Sequence, residues 1–301
     1  MELHQLRYFV AVAELGHFTR AAERCFVSQP SLSQQILKLE RELKYPLFDR
    51  SGRKVTLTEA GRVLYESARC VLAAVDEAEA RVRNLGGNGG GTIHVGAIPT
   101  IAPYLFPPLL KRFAAEHPKA EVALHEDFTA RTLEACLTGD LDLAVVALPV
   151  EDGRLHAEPL FRDELLAALP PGHALARKKR LVLADLASEP FVLLSDTHCF
   201  GEQAYALCRQ PDFHPPVRCA SAQLLTVQEL VALGHGVSLV PRLAADADRA
   251  GLCVYRPLAG EQPTRTIAVV WRKDRYQGRA VSDLIDALRA DAARRTASPT
   301  R

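Results

Sequence analysis

Apolar residues recur at helical spacing from the first turn of the chain. Leu3, Leu6, Phe9, Val10 and Ala13 share one face over residues 3–15, and Gly16 ends that helix. Thr19 is expected to N-cap a short second helix over residues 20–26. Val27 and Ser28 make a tight turn, and Ser28 caps a third helix. Pro30 falls in that helix's first turn, where a missing N–H is harmless. Leu32, Ile36, Leu39 and Leu43 then step by 4, 3 and 4 and form one apolar stripe. Ser31, Gln34, Lys38 and Arg41 lie roughly opposite, and Gln29 and Ser33 extend the polar side near the helix start. Beyond Pro46, "KVTLT" alternates like a strand, and a Ser-Gly turn flanked by Arg50, Arg53 and Lys54 predicts a basic hairpin.

The next apolar series is Leu64, Ala68, Val71, Val75, Ala78, Val82 and Leu85, with steps alternating between 4 and 3. An unbroken 3.5-residue repeat favours pairing between two chains over one amphipathic helix packed on its own domain. "GGNGGG" at residues 86–91 cannot hold a helix and predicts a flexible joint.

From Thr92 onward β-rich runs alternate with helical stretches. "TIHVGAI", a helix to about Glu116, "AEVALHE", a helix near residues 130–138 and "LDLAVVAL" predict a parallel sheet with right-handed crossovers. A second series of the same kind follows: "FVLLS", a helical region, "VRCAS", a helix from Gln223 to Leu233 and "VSLVP". The chain returns through "TRTIAVVW" to a C-terminal helix from about Gly278. Two such halves predict two subdomains with a ligand cleft between them.

Composition narrows the class. Hydrophobic residues make up 48% and charged residues 24%, as in ordinary globular proteins. The start, "MELHQLRYFVAVAELG", lacks the pattern of a signal peptide, and no apolar run reaches the ~18 residues that span a bilayer. A cytoplasmic protein with no membrane partner is expected, so its thiols are kept reduced. The net charge is +1, so any nucleic-acid binding must come from a local patch. The seven cysteines are odd in number and show no CxxC spacing, which argues against a disulfide framework and a four-cysteine zinc site. No nucleotide-binding, metalloprotease or serine-hydrolase motif stands in a suitable context, and an enzyme is not expected.

The N-terminal pattern is helix-turn-helix logic. The start of the third helix, with Gln29, Pro30, Ser31, Ser33 and Gln34 and then Lys38, suits the major groove of double-stranded DNA. The hairpin with Arg50, Arg53 and Lys54 suits a wing on the backbone or minor groove. A three-helix protein-interaction module with a solvated polar face is the alternative, and the basic turn counts against it.

"SQPSLSQQILKLERELKYPLFDRSGRKVTLTEAG" closely resembles the LysR-type transcriptional regulators. The resemblance covers essentially the whole chain. It implies a winged helix-turn-helix over residues 1–58, with the helix-turn-helix at about 18–37. A linker and dimerisation helix with its hinge would span 59–90. An α/β regulatory domain with a periplasmic-binding-protein-like fold would span 91–301. Its subdomains would be about 91–161 with 267–301, and about 162–266. The resemblance also implies a homotetramer built from paired linker helices, DNA as partner, and contact with RNA polymerase.

Within that family, "LLSDTHCFGEQAYALC" is similar to the redox segment of the peroxide-sensing members. That similarity implies that Cys199 reacts with hydrogen peroxide and that Cys208 resolves the product as a disulfide. It also implies that Thr100, Thr129 and His198 line the peroxide pocket, with Arg265 as the nearby cation. A cysteine reacts as thiolate, which positive charge favours, and threonine hydroxyls orient a peroxide oxygen. In one continuous helix the two cysteine Cα atoms would stand about 13–14 Å apart. A disulfide needs roughly 4.4–6.8 Å. Bonding is therefore expected to refold the segment locally.

Plainer readings exist for each residue. Cys25, Cys136, Cys219 and Cys253 sit in apolar contexts and read as packing, and Cys70 as packing or lightly exposed. Thr100 and Thr129 read as helix N-caps, and Arg265 as a solvated charge at a strand end. His198, Cys199, Cys208 and His214 fit no standard zinc spacing, so neither metal nor cofactor is expected. The competing functions are a regulator that binds a small organic effector in the cleft, a thiol peroxidase and a zinc-stabilised binding module.

Overall fold

The computed structural model of the chain describes residues 1–50, 55–84, 91–195, 213, 215–260 and 262–297. It divides into two compact units, residues 1–88 with 137–140, and 89–136 with 141–301.

The first unit opens with α1 (Leu3–Leu15), closed by Gly16 in the left-handed region at φ 61. Glycine takes that backbone without a Cβ clash. Helix α2 spans Phe18–Arg24, with His17 in the cap position. Thr19 therefore does not cap this helix. The chain is already helical at Phe18, and Thr19 is an exposed residue of its first turn. Ser28 does cap α3 (Gln29–Leu43): its Oγ accepts a hydrogen bond from the Ser31 amide at 3.3 Å. Leu32, Ile36 and Leu39 of α3 are fully buried against Phe9, Val12, Ala21 and Phe48. Each such side chain contributes about 1.5–3 kcal/mol by leaving water. Buried Gln5 donates to Gln35 at 3.1 Å and ties α1 to α3. A short hairpin of β1 (Phe48–Asp49) and β2 (Thr56–Leu57) follows, with Phe48 paired to Leu57. Its tip lies outside the described residues.

Helix α4 runs from Glu59 to Asn84. Thr58 fixes its start: Oγ1 accepts from the Gly61 amide at 3.0 Å and donates to the Pro46 carbonyl at 2.7 Å.

Phe26 sits in the turn between α2 and α3 at φ 56 and is 95% exposed. A left-handed backbone costs an L-residue about 1–2 kcal/mol, and asparagine tolerates it better than a bulky aromatic. Phe26→Asn removes almost no packing. It is expected to stabilise the first unit by about 0.5–1 kcal/mol, seen as a higher thermal midpoint in circular dichroism. A lower midpoint would show that the exposed ring makes a contact that matters.

The second unit contains β3 (Gly91–Ala97), β4 (Ala120–Glu126) and β5 (Leu143–Ala147). β3 pairs in parallel with both β4 and β5, as the strand-helix alternation predicts. The connecting helices are α5 (Ala102–Glu116) and α6 (Thr129–Thr138).

β6 (Leu155–Leu169), absent from the sequence reading, joins the two halves. Its first ten residues pair antiparallel with β11 (Thr264–Arg272), which pairs antiparallel with β5. One sheet thus has the order β4-β3-β5-β11-β6. A register shift between Ile267 and Ala268 leaves Leu160 unpaired beside Pro159, a bulge that accommodates the proline.

From Leu165 on, β6 is flanked by β9 (Ser238–Pro241) and β10 (Val254–Pro257), both antiparallel to it. β7 (Phe191–Leu194) pairs in parallel with β8 (Val217–Ser221), and Phe191 bridges in parallel to Val237. The second series is therefore not an all-parallel repeat of the first, because β9 meets β7 in parallel at its start but lies antiparallel along β6. Helices α7 (Leu224–Ala232), α8 (Arg242–Ala247) and α9 (Arg279–Ala297) complete the unit. Leu105, Phe106, Leu109 and Phe113 of α5 and Leu284, Ile285 and Leu288 of α9 are buried, and α5 and α9 pack on each other.

Candidate functional site

The register of the parallel strands sets the site. β3 and β4 pair Ala97 with Glu126. Thr100 and Thr129 each lie three residues beyond that pair, so both stand past the carboxyl ends of neighbouring strands. β11 pairs Ile267 with Ala147 at the end of β5, which brings Arg265 to the same edge. Ligand crevices in open α/β sheets form at this edge.

Arg265 is fully buried, with 0% side-chain exposure, so it is not the solvated strand-end charge of the sequence reading. The cause is register: β6 places Asp163 directly opposite it. Arg265 Nε donates to Asp163 Oδ2 at 3.0 Å, and Nη2 stands 2.9 Å from the same oxygen. Nη1 donates to Thr100 Oγ1 at 2.7 Å, and Nη2 to the Thr100 carbonyl at 3.1 Å. The other Asp163 oxygen, Oδ1, accepts from the Leu243 amide of α8 at 3.0 Å. A buried charge is costly unless paired and hydrogen-bonded, and here each partner supplies what the other requires.

Neither threonine is an N-cap. Ile101 holds that position for α5, and Thr129 is already the first residue of α6. The Thr100 hydroxyl is engaged by Arg265 instead, and Thr129 is half-buried. His198, Cys199 and Cys208 lie outside the described residues. Asp163 escaped the sequence reading. The adjacent acidic pair Asp163 and Glu164, directly before the apolar run "LLAAL", was the available signal. Glu164 accepts from Arg242 at 2.8 Å and 2.5 Å.

The described cysteines outside that segment are poor nucleophiles where burial governs them. Burial pushes the Cys136 thiol up to about 12 and the Cys253 thiol up to about 11, and raises Cys25. These thiols keep their protons at neutral pH. Cys219 is half-buried and Cys70 exposed. Among the described residues, no group of three or more His, Cys, Asp or Glu side chains is placed to hold a metal. Among them, too, no helix is long and apolar enough to cross a membrane.

On the first unit, Gln29, Pro30, Ser31, Gln34 and Lys38 are exposed along α3, and Ser33 is half-buried. Gln29 Nε2 donates to Ser33 Oγ at 2.9 Å, which orders the start of the helix. Lys38 stands 3.6 Å from Glu2. Arg50 is held by Glu40 at 2.9 Å and lies 4.9 Å over the Phe18 ring. Glu40 also accepts from the Leu47 and Phe48 amides at 2.8 Å and 3.3 Å, so Arg50 braces the base of the hairpin. Arg53 and Lys54 lie outside the described residues.

On α4, Ala68 is buried in the core of its own unit and half-buried Leu64 packs against that core. Val71, Ala78 and Val82 are exposed and Val75 is half-buried. Leu85 lies outside the described residues.

Comparison with known proteins agrees with both units. Residues 3–62 match the model of bacterial regulatory helix-turn-helix proteins of the lysR family, and residues 86–293 match the LysR substrate binding domain. The chain is 39% identical over 274 residues to the hydrogen peroxide-inducible genes activator of Pectobacterium carotovorum subsp. carotovorum, covering 90% of each. It is 37% identical over 292 residues to the DNA-binding transcriptional dual regulator OxyR of Escherichia coli K12, covering 96% of this chain and 95% of that one. Among solved structures, a full-length OxyR variant from Pseudomonas aeruginosa superposes with a TM-score of 0.79 at 35% identity. That match covers 96% of this chain and 95% of the other. CbnR complexed with its target DNA gives 0.70 at 26% identity, covering 96% and 99%. With a winged helix-turn-helix, a linker helix and a two-part α/β unit all in place, the chain belongs to the LysR family of bacterial regulators.

Proposed function

We propose that this chain is a DNA-binding transcriptional regulator that senses hydrogen peroxide through Cys199. The observation that carries the reading is the junction of Thr100 and Arg265 at the carboxyl edge of the sheet, in a chain whose relatives are named for peroxide induction. A peroxide-reactive thiol is served by a cation and by hydroxyls that orient an oxygen. The Cys199 thiolate attacks one peroxide oxygen and the O–O bond breaks. The departing hydroxide takes a proton and leaves as water, and the sulfur is oxidised by two electrons to a sulfenic acid. The Cys208 thiolate then displaces hydroxide from that sulfur. The hydroxide takes a proton to form a second water, and the disulfide remains.

His198 and Thr129 complete the pocket in this reading. The protein acts in the cytoplasm as a homotetramer on double-stranded operator DNA, engages RNA polymerase, and responds stoichiometrically, without enzymatic turnover. Gln29, Pro30, Ser31, Ser33, Gln34 and Lys38 read the major groove, and Arg50, Arg53 and Lys54 touch the backbone or minor groove from the wing. Leu64, Ala68, Val71, Val75, Ala78, Val82 and Leu85 pair the linker helices.

Peptide mapping by mass spectrometry before and after one equivalent of hydrogen peroxide tests this reading. The expected result is a Cys199–Cys208 crosslink lighter by two hydrogens, abolished by Cys199→Ser together with the peroxide response at promoter DNA. A response that survives Cys199→Ser would assign the cleft to an organic effector instead.

A further inference from the structure

The buried pair at the site has a partner beyond the threonine. Asp163 is 3% exposed and divides its oxygens between two elements: Oδ2 takes Arg265 of β11 and Oδ1 takes the Leu243 amide of α8. The carboxylate is thus clamped from one side while it clamps the guanidinium on the other. Held by Nε and Nη2, the guanidinium presents Nη1 to Thr100 Oγ1 at 2.7 Å. A hydroxyl has one proton and two lone pairs, and guanidinium has no acceptor. With one Thr100 lone pair taken by a cation, the Thr100 proton is directed elsewhere, as a polarised donor. Asp163 also offsets much of the charge of Arg265, so the pair contributes chiefly an oriented hydrogen bond.

We infer that Asp163 is a positioning residue for the peroxide reaction, fixing Arg265 so that the Thr100 hydroxyl donates to the departing peroxide oxygen. The inference rests on the peroxide-sensing reading above. A fixed donor aimed at developing negative charge lowers a barrier far more than the same group free in water. It acts on O–O cleavage and not on thiolate reactivity in general.

The experiment compares two reagents on the reduced full-length protein and on Asp163→Asn, following Cys199 by mass spectrometry: hydrogen peroxide, and iodoacetamide, which has no O–O bond to break. The expected result is a loss of about ten- to a hundredfold in the peroxide rate, with alkylation unchanged within about twofold. A variant that reacts with peroxide at the wild-type rate overturns the inference. So does a parallel fall with both reagents, since altered exposure or folding would produce it. A wild-type Cys199 no faster with peroxide than free cysteine overturns the sensing reading itself, and this inference with it. If Asp163→Asn does not fold, Asp163→Glu keeps the charge balance and displaces the carboxylate by one methylene. The same selective loss is expected there, and wild-type selectivity overturns the proposal.

Discussion

Arg265→Met is expected to destabilise the α/β unit by about 3–5 kcal/mol. The substitution removes the guanidinium but leaves Asp163 charged and 3% exposed, without that cation. The Thr100 carbonyl loses a donor as well. Removing both charges avoids the orphaned ion, so Asp163→Leu combined with Arg265→Met should be less destabilised than the sum of the single variants. The expected coupling is about 2 kcal/mol or more. The single tryptophan makes the measurement selective. Trp271 lies on β11, the strand that carries Arg265, and its ring is 4.5 Å from that of His156. Urea unfolding followed by tryptophan fluorescence therefore reports on this unit. Additive single and double effects would show that the pair is not coupled.

The second large effect belongs to the first unit. Gly61 lies in the first turn of α4, and a Cβ there would stand 2.1 Å from the Leu47 carbonyl oxygen and 3.0 Å from Leu57 Cδ2. The nearer atom is backbone, held between the Thr58 cap and the Glu40 clamp, so no flexible side chain is available to yield. Gly61→Ala gains helix propensity worth about 1 kcal/mol, and overpacking opposes it by about 1–3 kcal/mol or more. The clash should win, because relief requires the hairpin base to move away from α4. The expected outcome is loss of specific binding to duplexes selected by the wild type from a random pool, with the Trp271 unfolding transition unchanged. Wild-type DNA binding by Gly61→Ala would mean that α4 and the hairpin adjust without cost.

Much of the local architecture was legible in the chain. Leu32, Ile36 and Leu39 announce the buried face of α3 because helix period and burial coincide in a small unit. Ser28 announces its start because a cap is a contact between near neighbours. Alternation of strands and helices gives the parallel β3, β4 and β5 for the same reason: each crossover is local. The heptad series of α4 was legible as a pattern, and its first positions, Leu64 and Ala68, also join the core of their own unit.

β6 was not legible. It is half-exposed and charged where it borders β11 and buried on both faces where β9 and β10 flank it, so no single period runs through it. The bulge at Leu160 breaks the alternation further. Everything that makes the site depends on this strand. Asp163 and Arg265 are 102 residues apart in the chain, and Arg265 and Thr100 are 165 apart. By itself, then, the sequence determined the helix-turn-helix and the parallel strands, because short-range periodicity and capping encode them. Only the tertiary structure decided that Arg265 is a buried, paired clamp on Thr100, because strand register, not composition, sets which charges face each other.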